Sequence, residues 1–479
     1  MTFPRFIVVL LSVLICSAAS VRPINGSDAK EIARQSADSA NDDAISLEAR
    51  QAALKKLEDA ARFYLSIGDK LEAARILNRE GHLQLILNAP NDSLASYDRA
   101  LALLRQSPST ETEVDSLNGL GESYLLVQKR EQAEEALHKA LLLSEQSGYV
   151  RGQAQALLTL SDSQNYENHA IALQTAQKAL ALWQRLDDKA GLARTQSQIG
   201  RCYLAQSSLP ESTQNYREAL RLWRELSNLS EQAEALIMLA FIEFRKGDWQ
   251  SCISLLNQAQ ALLDERAEPG KMGQIEAGLG AAFNENGLPE IGITHFQKAL
   301  DYYRETKDPH AISHSMWELG RTYYLLEKYP EALSQFQQVL ANVERADSLD
   351  AAPSYEYLGK VGNAMGKAAN ALKYLQQALD IYIKSANPRE AARVRALMGQ
   401  AYQQQGLLGP ARQEYQQALQ EFIELSDRLN QAAVYYMLGR LESRSGNLDA
   451  AEEYFRQSIE TTEKIRRLPS SSDLGHLEC

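Results

Sequence analysis

A self-similarity of about forty residues runs through the chain and constrains its fold more than any other feature. Asn41, Gly81, Gly121, Ser161, Gly200, Ala240, Gly280, Gly320, Gly359, Gly399 and Gly439 follow one another at steps of 39 or 40. Twelve, sixteen and nineteen residues beyond each anchor lie three more recurring positions, for example Ala133, Leu137 and Ala140, or Ala332, Phe336 and Val339. The trio recurs as Ala411, Tyr415 and Ala418, and in the first period as Ala53, Leu57 and Ala60. After Ser161 it arrives one residue early, as Ala172, Ala176 and Ala179, which marks a deletion in the turn. An aromatic stands three beyond the anchor at Tyr124, Tyr203, Phe283, Tyr323 and Tyr402. These offsets have helical spacing, so each period predicts two amphipathic helices. One such pair cannot bury its stripe alone; stacking against neighbours does. The expected fold is all-α, a right-handed α-solenoid of about eleven helix pairs over residues 28–467, followed by a tail at 468–479.

The punctuation agrees. Gly247, Gly287, Gly366, Gly406 and Gly446 lie seven beyond their anchors, where a glycine can end the first helix in the left-handed conformation. Pro90, Pro210, Pro289, Pro330 and Pro410 fall at the start of the second helix, where proline is harmless. Pro269, Pro309 and Pro388 each precede the next anchor by eleven residues and are expected in the turn between repeats. Only 26 glycines and 13 prolines are present, a sparse supply for a turn-dense β-sandwich.

Charge and compartment narrow the function classes. With 50 Lys+Arg against 62 Asp+Glu, the net charge of −12 argues against coating nucleic acid by counterion release. Residues 1–20 read as a secretory signal peptide: Arg5, an apolar run from Phe6 to Ile15, then Ser17, Ala18, Ala19 and Ser20. The apolar stretch is shorter than the roughly 20 residues of a spanning helix, so export with cleavage after Ala19 or Ser20 is expected. The destination is the periplasm or the extracellular space. Lipidation at Cys16 is disfavoured because Ile15 occupies a position that should be small. No later stretch is apolar enough to cross a bilayer. Cys202, Cys252 and Cys479 form neither a disulfide framework nor a zinc spacing, and Cys252 falls at a small core position of the repeat.

No catalytic constellation emerges. The seven histidines form no metal-spaced motif; His310 and His314 are four apart, but Pro309 is expected to place His310 in a turn. Phosphate loops, nucleophile elbows and dinucleotide fingerprints are missing from the sequence. A non-enzyme without cofactor or metal is expected.

The run Leu319, Gly320, Tyr323, Ala332, Phe336 and Leu340 resembles the tetratricopeptide repeat, in a variant with a period of 40 instead of the usual 34. The resemblance implies a protein-interaction scaffold whose first helices line a concave, peptide-binding face. Positions six and three before the anchor and one after it then give Arg194, Arg201, Phe241, Trp317, Arg321, Lys360, Arg393, Tyr436 and Arg440 as groove residues. Arg75, Asn78, His82, His314 and Glu356 occupy the same positions. Arginine forks beside aromatics suit an acidic or carboxylate-ended peptide with apolar anchors, although ordinary exposed arginines paired with nearby acids would look the same. The segment from Ala451, Tyr454, Ile459, Glu460 and Lys464 to Ser470 and Leu474 resembles the junction between such arrays and a CHAT domain, a caspase-like peptidase. That peptidase's His and Cys do not follow in this sequence. The second resemblance therefore implies a truncated or split relative, the sensor arm of a peptidase system.

Overall fold

The computed structural model of the chain describes residues 47–264, 268–343, 345 and 347–466, together with Asp28 and Glu31. The expected signal peptide with Cys16, the anchor Asn41, and the tail 468–479 with His476 and Cys479 lie outside the described residues. Two units divide the chain, Met1–Ile242 with Gln258–Ala267, and Glu243–Asn257 with Glu268–Cys479. In the first lie α1 (Leu47–Ser66), α2 (Lys70–Ile86), α3 (Pro90–Leu104), α4 (Thr110–Leu126), α5 (Arg130–Ser147), α6 (Val150–Gln164), α7 (His169–Leu186), α8 (Lys189–Ala205) and α9 (Leu209–Glu225). The division falls within α10 (Leu229–Lys246) and α11 (Trp249–Gln260). In the second lie α12 (Pro269–Glu285), α13 (Pro289–Thr306), α14 (Pro309–Leu325), α15 (Tyr329–Asn342), α16 (Ala352–Ala364), α17 (Ala368–Lys384), α18 (Pro388–Gln404), α19 (Leu408–Glu424), α20 (Arg428–Arg444) and α21 (Leu448–Arg466). A single 3₁₀ turn, Leu349–Ala351, precedes α16. Among the described residues there is no strand. Even-numbered helices carry the anchors, so α2 to α21 form ten complete pairs and α1 is the second helix of the first pair.

Local chemistry explains where the helices begin and end. Asp69, Ser109, Asn168, Asp188, Asp308 and Asp427 each accept a first-turn backbone N–H, removing one of the unpaired donors of a helix start. Pro269, Pro309 and Pro388 are the first residues of α12, α14 and α18, one step later than the connecting turn expected for them. Proline's fixed φ and missing N–H suit that position equally well. His310 consequently lies in the first turn of α14 and is exposed. Gly247, Gly287, Gly366, Gly406 and Gly446 have φ between +70° and +81°, as their spacing requires. The same place in other periods is taken by Asn88, Gln128, Ser207 and Glu327, with φ between +56° and +61°. The turn geometry is therefore set by the packing of the pair, and these side chains bear its steric cost.

The core repeats with the sequence. Each of the trios quoted above is buried, from Ala53, Leu57 and Ala60 to Ala411, Tyr415 and Ala418. The middle member of the trio covers the anchor: a Cβ on Gly200 would stand 2.9 Å from Tyr216, on Gly280 2.9 Å from Phe296, on Gly320 2.9 Å from Phe336, and on Gly399 2.6 Å from Tyr415. Glycine is used there because a ring lies directly on the backbone. Where the anchor is Ser161, the covering residue is the small Ala176, and Ser161 donates its hydroxyl to the Ala172 carbonyl at 2.8 Å. The aromatics three beyond the anchor are only half-buried. Cys202 and Cys252 are buried, and burial pushes both thiols up to about 11, as small hydrophobes in a core.

From α1 to α9 and from α12 to α21, each helix packs on the next in the chain. First helices of successive pairs also touch, α2 on α4, α4 on α6 and α6 on α8, and likewise α12 through α20 in steps of two. That extra packing puts the first helices on the inner, tighter side of each unit. Gly320→Ala is expected to destabilise the second unit by about 1–3 kcal/mol through overpacking against Phe336. Gln128→Gly is expected to stabilise the first unit by up to about 1 kcal/mol by relieving a left-handed non-glycine. Urea unfolding of both variants against the parent checks the two signs.

Candidate functional site

On the inner side of the second unit, α14, α16 and α18 bring side chains to one open cavity of about 420 Å³. Trp317 comes from α14, Glu356, Tyr357 and Lys360 from α16, and Arg393 from α18. Tyr382, from the second helix α17, closes the back of it, and Leu349 and Pro353 form its rim. Leu349 belongs to the 3₁₀ turn Leu349–Ala351 and Pro353 to the first turn of α16.

Charge organises the cavity. Glu356 is only 1 % exposed. Arg393 grips it with a fork, Nε donating to Oε1 at 2.9 Å and Nη2 to Oε2 at 2.7 Å, while Lys360 Nζ stands 2.7 Å from Oε1. Burial works to raise the Glu356 carboxyl, but Lys360 and Arg393 outweigh it and hold the group below its ordinary value. Lys360 also lies over the Tyr357 ring, 4.3 Å from its centre, and Tyr357 meets Trp317 edge-on at 5.3 Å. The result is an aromatic wall joined to a cationic one, with Arg393 Nη1 outside the Glu356 fork.

Three of the nine groove residues read from the sequence, Trp317, Lys360 and Arg393, thus meet in one place. The others do not join them. Arg321, one turn beyond Trp317, is held by Glu318 at 3.0 Å and Glu285 at 3.1 Å. Arg201 pairs with Asp162 at 2.7 Å. Arg440 sits 5.9 Å from the Tyr436 ring, which itself tilts against Phe455. Phe241 and Tyr436 are 48 % and 51 % exposed. Arg194 lines a separate cavity in the first unit with Arg75, Asn78 and His82. Many of these cations answer acids one period away: Arg393 to Glu356, Arg321 to Glu285 and Arg201 to Asp162 are 36 to 39 residues apart. Tyr357 and Tyr382 were not among the nine. Tyr357 stands one position off the offsets used, and Tyr382 belongs to a second helix.

Among the described residues no group of three His, Cys, Asp or Glu side chains is placed to hold a metal ion, and no helix is long and apolar enough to cross a membrane. Removing Arg393 would leave Glu356 buried with one cation. Arg393→Ala is expected to destabilise the second unit by about 3 kcal/mol, whereas Arg201→Ala, breaking an exposed pair, costs less than about 1 kcal/mol. Differential thermal unfolding of the two variants distinguishes them.

Comparison with known proteins agrees with this architecture. The family profile described as Tetratricopeptide repeat matches residues 164–225, 271–345, 350–421 and 411–464, together more than half of the chain. Tetratricopeptide repeat protein 29 of Trypanosoma brucei brucei is 25 % identical over 153 residues, which is 32 % of this chain and 32 % of that protein; the chain thus spans about a third of the relative's length. Among solved structures, the signal-transduction ATPase PH0952 of Pyrococcus horikoshii, a STAND protein with a tetratricopeptide repeat sensor, is 12 % identical with a TM-score of 0.52, covering 80 % of this chain and 54 % of that one. The apo form of RapI is 18 % identical with a TM-score of 0.48, over 57 % of this chain and 99 % of that one. At these identities the structural likeness is one of fold.

Proposed function

The chain belongs to the tetratricopeptide-repeat family, and from that premise we propose that it is an interaction scaffold whose second unit holds a peptide segment of a partner protein in its inner cavity. The observation that carries this reading is the convergence of Trp317, Lys360 and Arg393 from three successive first helices on one cavity. An apolar side chain of the partner would lie against Trp317 and Tyr357, and a carboxylate would reach Lys360 and the Nη1 of Arg393. That carboxylate competes with Glu356, which makes the site selective for a ligand presenting both features together. The chain then works by binding, with no chemistry of its own.

Trp317→Ala and Lys360→Ala are each expected to lower recovery of the cross-linked partner about tenfold or more, the size of a hot-spot loss. Leu142→Ala, on the exposed face of α5, should leave recovery unchanged. Equal recovery from all three variants removes the cavity from the reading.

The sensor-arm reading uses the same cavity and differs in its occupant, a CHAT-type peptidase domain on another chain; the resemblance of residues 451–474 supports it. Export belongs to the same proposal, supported by the apolar run from Phe6 to Ile15 and the small residues after it. Sequencing the mature amino terminus should give Ser20 or Val21, and a mature protein that keeps Met1 would overturn export.

A further inference from the structure

We propose that the inner cavity of the first unit is a second binding site, built to take the guanidinium or ammonium group of a basic peptide. It encloses about 600 Å³, within the range of ligand-sized sites. One wall is α4, where Glu111, Asp115, Asn118 and Glu122 succeed one another at helical spacing and share one face. Among the described residues none of the three carboxylates has a cation within ion-pair distance; Asp115 accepts a single hydrogen bond, from the Tyr149 hydroxyl at 3.1 Å.

Asn118 is the independent sign that a ligand belongs there. It is only 5 % exposed, and its Nδ2 donates to the Gly152 carbonyl at 3.0 Å, which fixes the orientation of the amide. Its Oδ1 is buried without a hydrogen-bond donor among the described residues, an unfavourable state for an amide oxygen. Three carboxylates and an orphan amide oxygen on one helix face all call for hydrogen-bond donors, and a guanidinium supplies five in a planar fork.

The surrounding charges set the orientation. Arg75, Arg79 and His82 from α2 and Arg194 from α8 also line the cavity. Desolvation inside the groove holds the His82 imidazole below its ordinary value, with Glu122 opposing and Arg194 adding. A bound segment would turn its cation to α4 and its backbone carbonyls toward these donors. Burial pushes the Asp115 carboxyl up to about 6, against the Tyr149 hydrogen bond, with Glu111 adding and Arg151 opposing. Arg151 is itself tied to Asp188 at 2.7 Å. A cation docked beside Asp115 would reverse that rise and release a proton.

The test uses the full chain and two capped tripeptides, acetyl-Gly-Arg-Gly-amide and its citrulline counterpart, which has nearly the same shape and no charge. Titration calorimetry at pH 7.5 is expected to show the arginine peptide binding at least tenfold more tightly. The preference should weaken as the pH falls to 5, where Asp115 takes up a proton. Asp115→Asn with Glu122→Gln should erase it. Glu131→Gln with Glu135→Gln on α5, an equal charge change on exposed residues, should keep it, which separates the site from general attraction to an acidic chain. Equal binding of the two peptides, binding of neither, or a preference that survives the α4 double variant in a folded protein would overturn the proposal. The second-unit cavity is not involved, so this outcome and the partner-recovery experiment stand or fall separately.

Discussion

A ring or a leucine lying directly on a glycine backbone holds eight of the ten complete helix pairs together, and the rest of the architecture follows from that contact. At Gly200, Gly280, Gly320 and Gly399 there is no room for a Cβ beneath Tyr216, Phe296, Phe336 and Tyr415. The two helices can then approach closely enough to leave the flanking alanines fully buried. Once the pair has this geometry, the link between its helices is fixed, which is why Gln128 and Glu327 adopt the same left-handed backbone as Gly287 and Gly406. Ser161 shows the rule by its exception: the anchor gains a side chain and the covering residue shrinks to Ala176.

Function arises from what this packing leaves over. Because the second helix of a pair supplies the covering ring, the inner edge of the first helix is free to carry polar and aromatic residues. Where three such edges align in the second unit, Trp317, Tyr357, Lys360 and Arg393 line one cavity, and Trp317 and Tyr357 at the same time pack against the core, Tyr357 stacking on Phe336 at 5.1 Å. The buried Glu356 is the structural price of placing two cations there, and it orients both of them. In the first unit, α2 contributes Arg75, Arg79 and His82 and the neighbouring α4 contributes Glu111, Asp115 and Glu122 to one cavity, so its lining differs chemically from that of the second unit.

Much of this was legible in the sequence because the signal repeats. The period, the buried trios and the glycines of the turns are each written several times, and each copy supports the others. The prolines were readable to within a residue or so: Pro309 opens α14 instead of preceding it, which moved His310 onto the helix. Electrostatics was much less legible. Arg321 and Arg201 read as cations available to a ligand, but their acids, Glu285 and Asp162, lie 36 and 39 residues earlier. Only a stacked structure shows that a distance of one period means contact. Tyr382 and Leu349 enter the cavity from a second helix and a 3₁₀ turn, outside the first-helix positions that gave Trp317, Lys360 and Arg393.

The period-long reach of the ion pairs has an evolutionary corollary. Arg393 with Glu356, Arg389 with Asp427 and Lys189 with Glu225 each bridge to an adjacent pair and go no further. A duplication or excision of one whole period would therefore present every severed side chain with the equivalent position of another copy. Such a chain can change its number of pairs in single genetic steps while its apolar stripes and turns stay in register, whereas an insertion of any other length would break that register across the join.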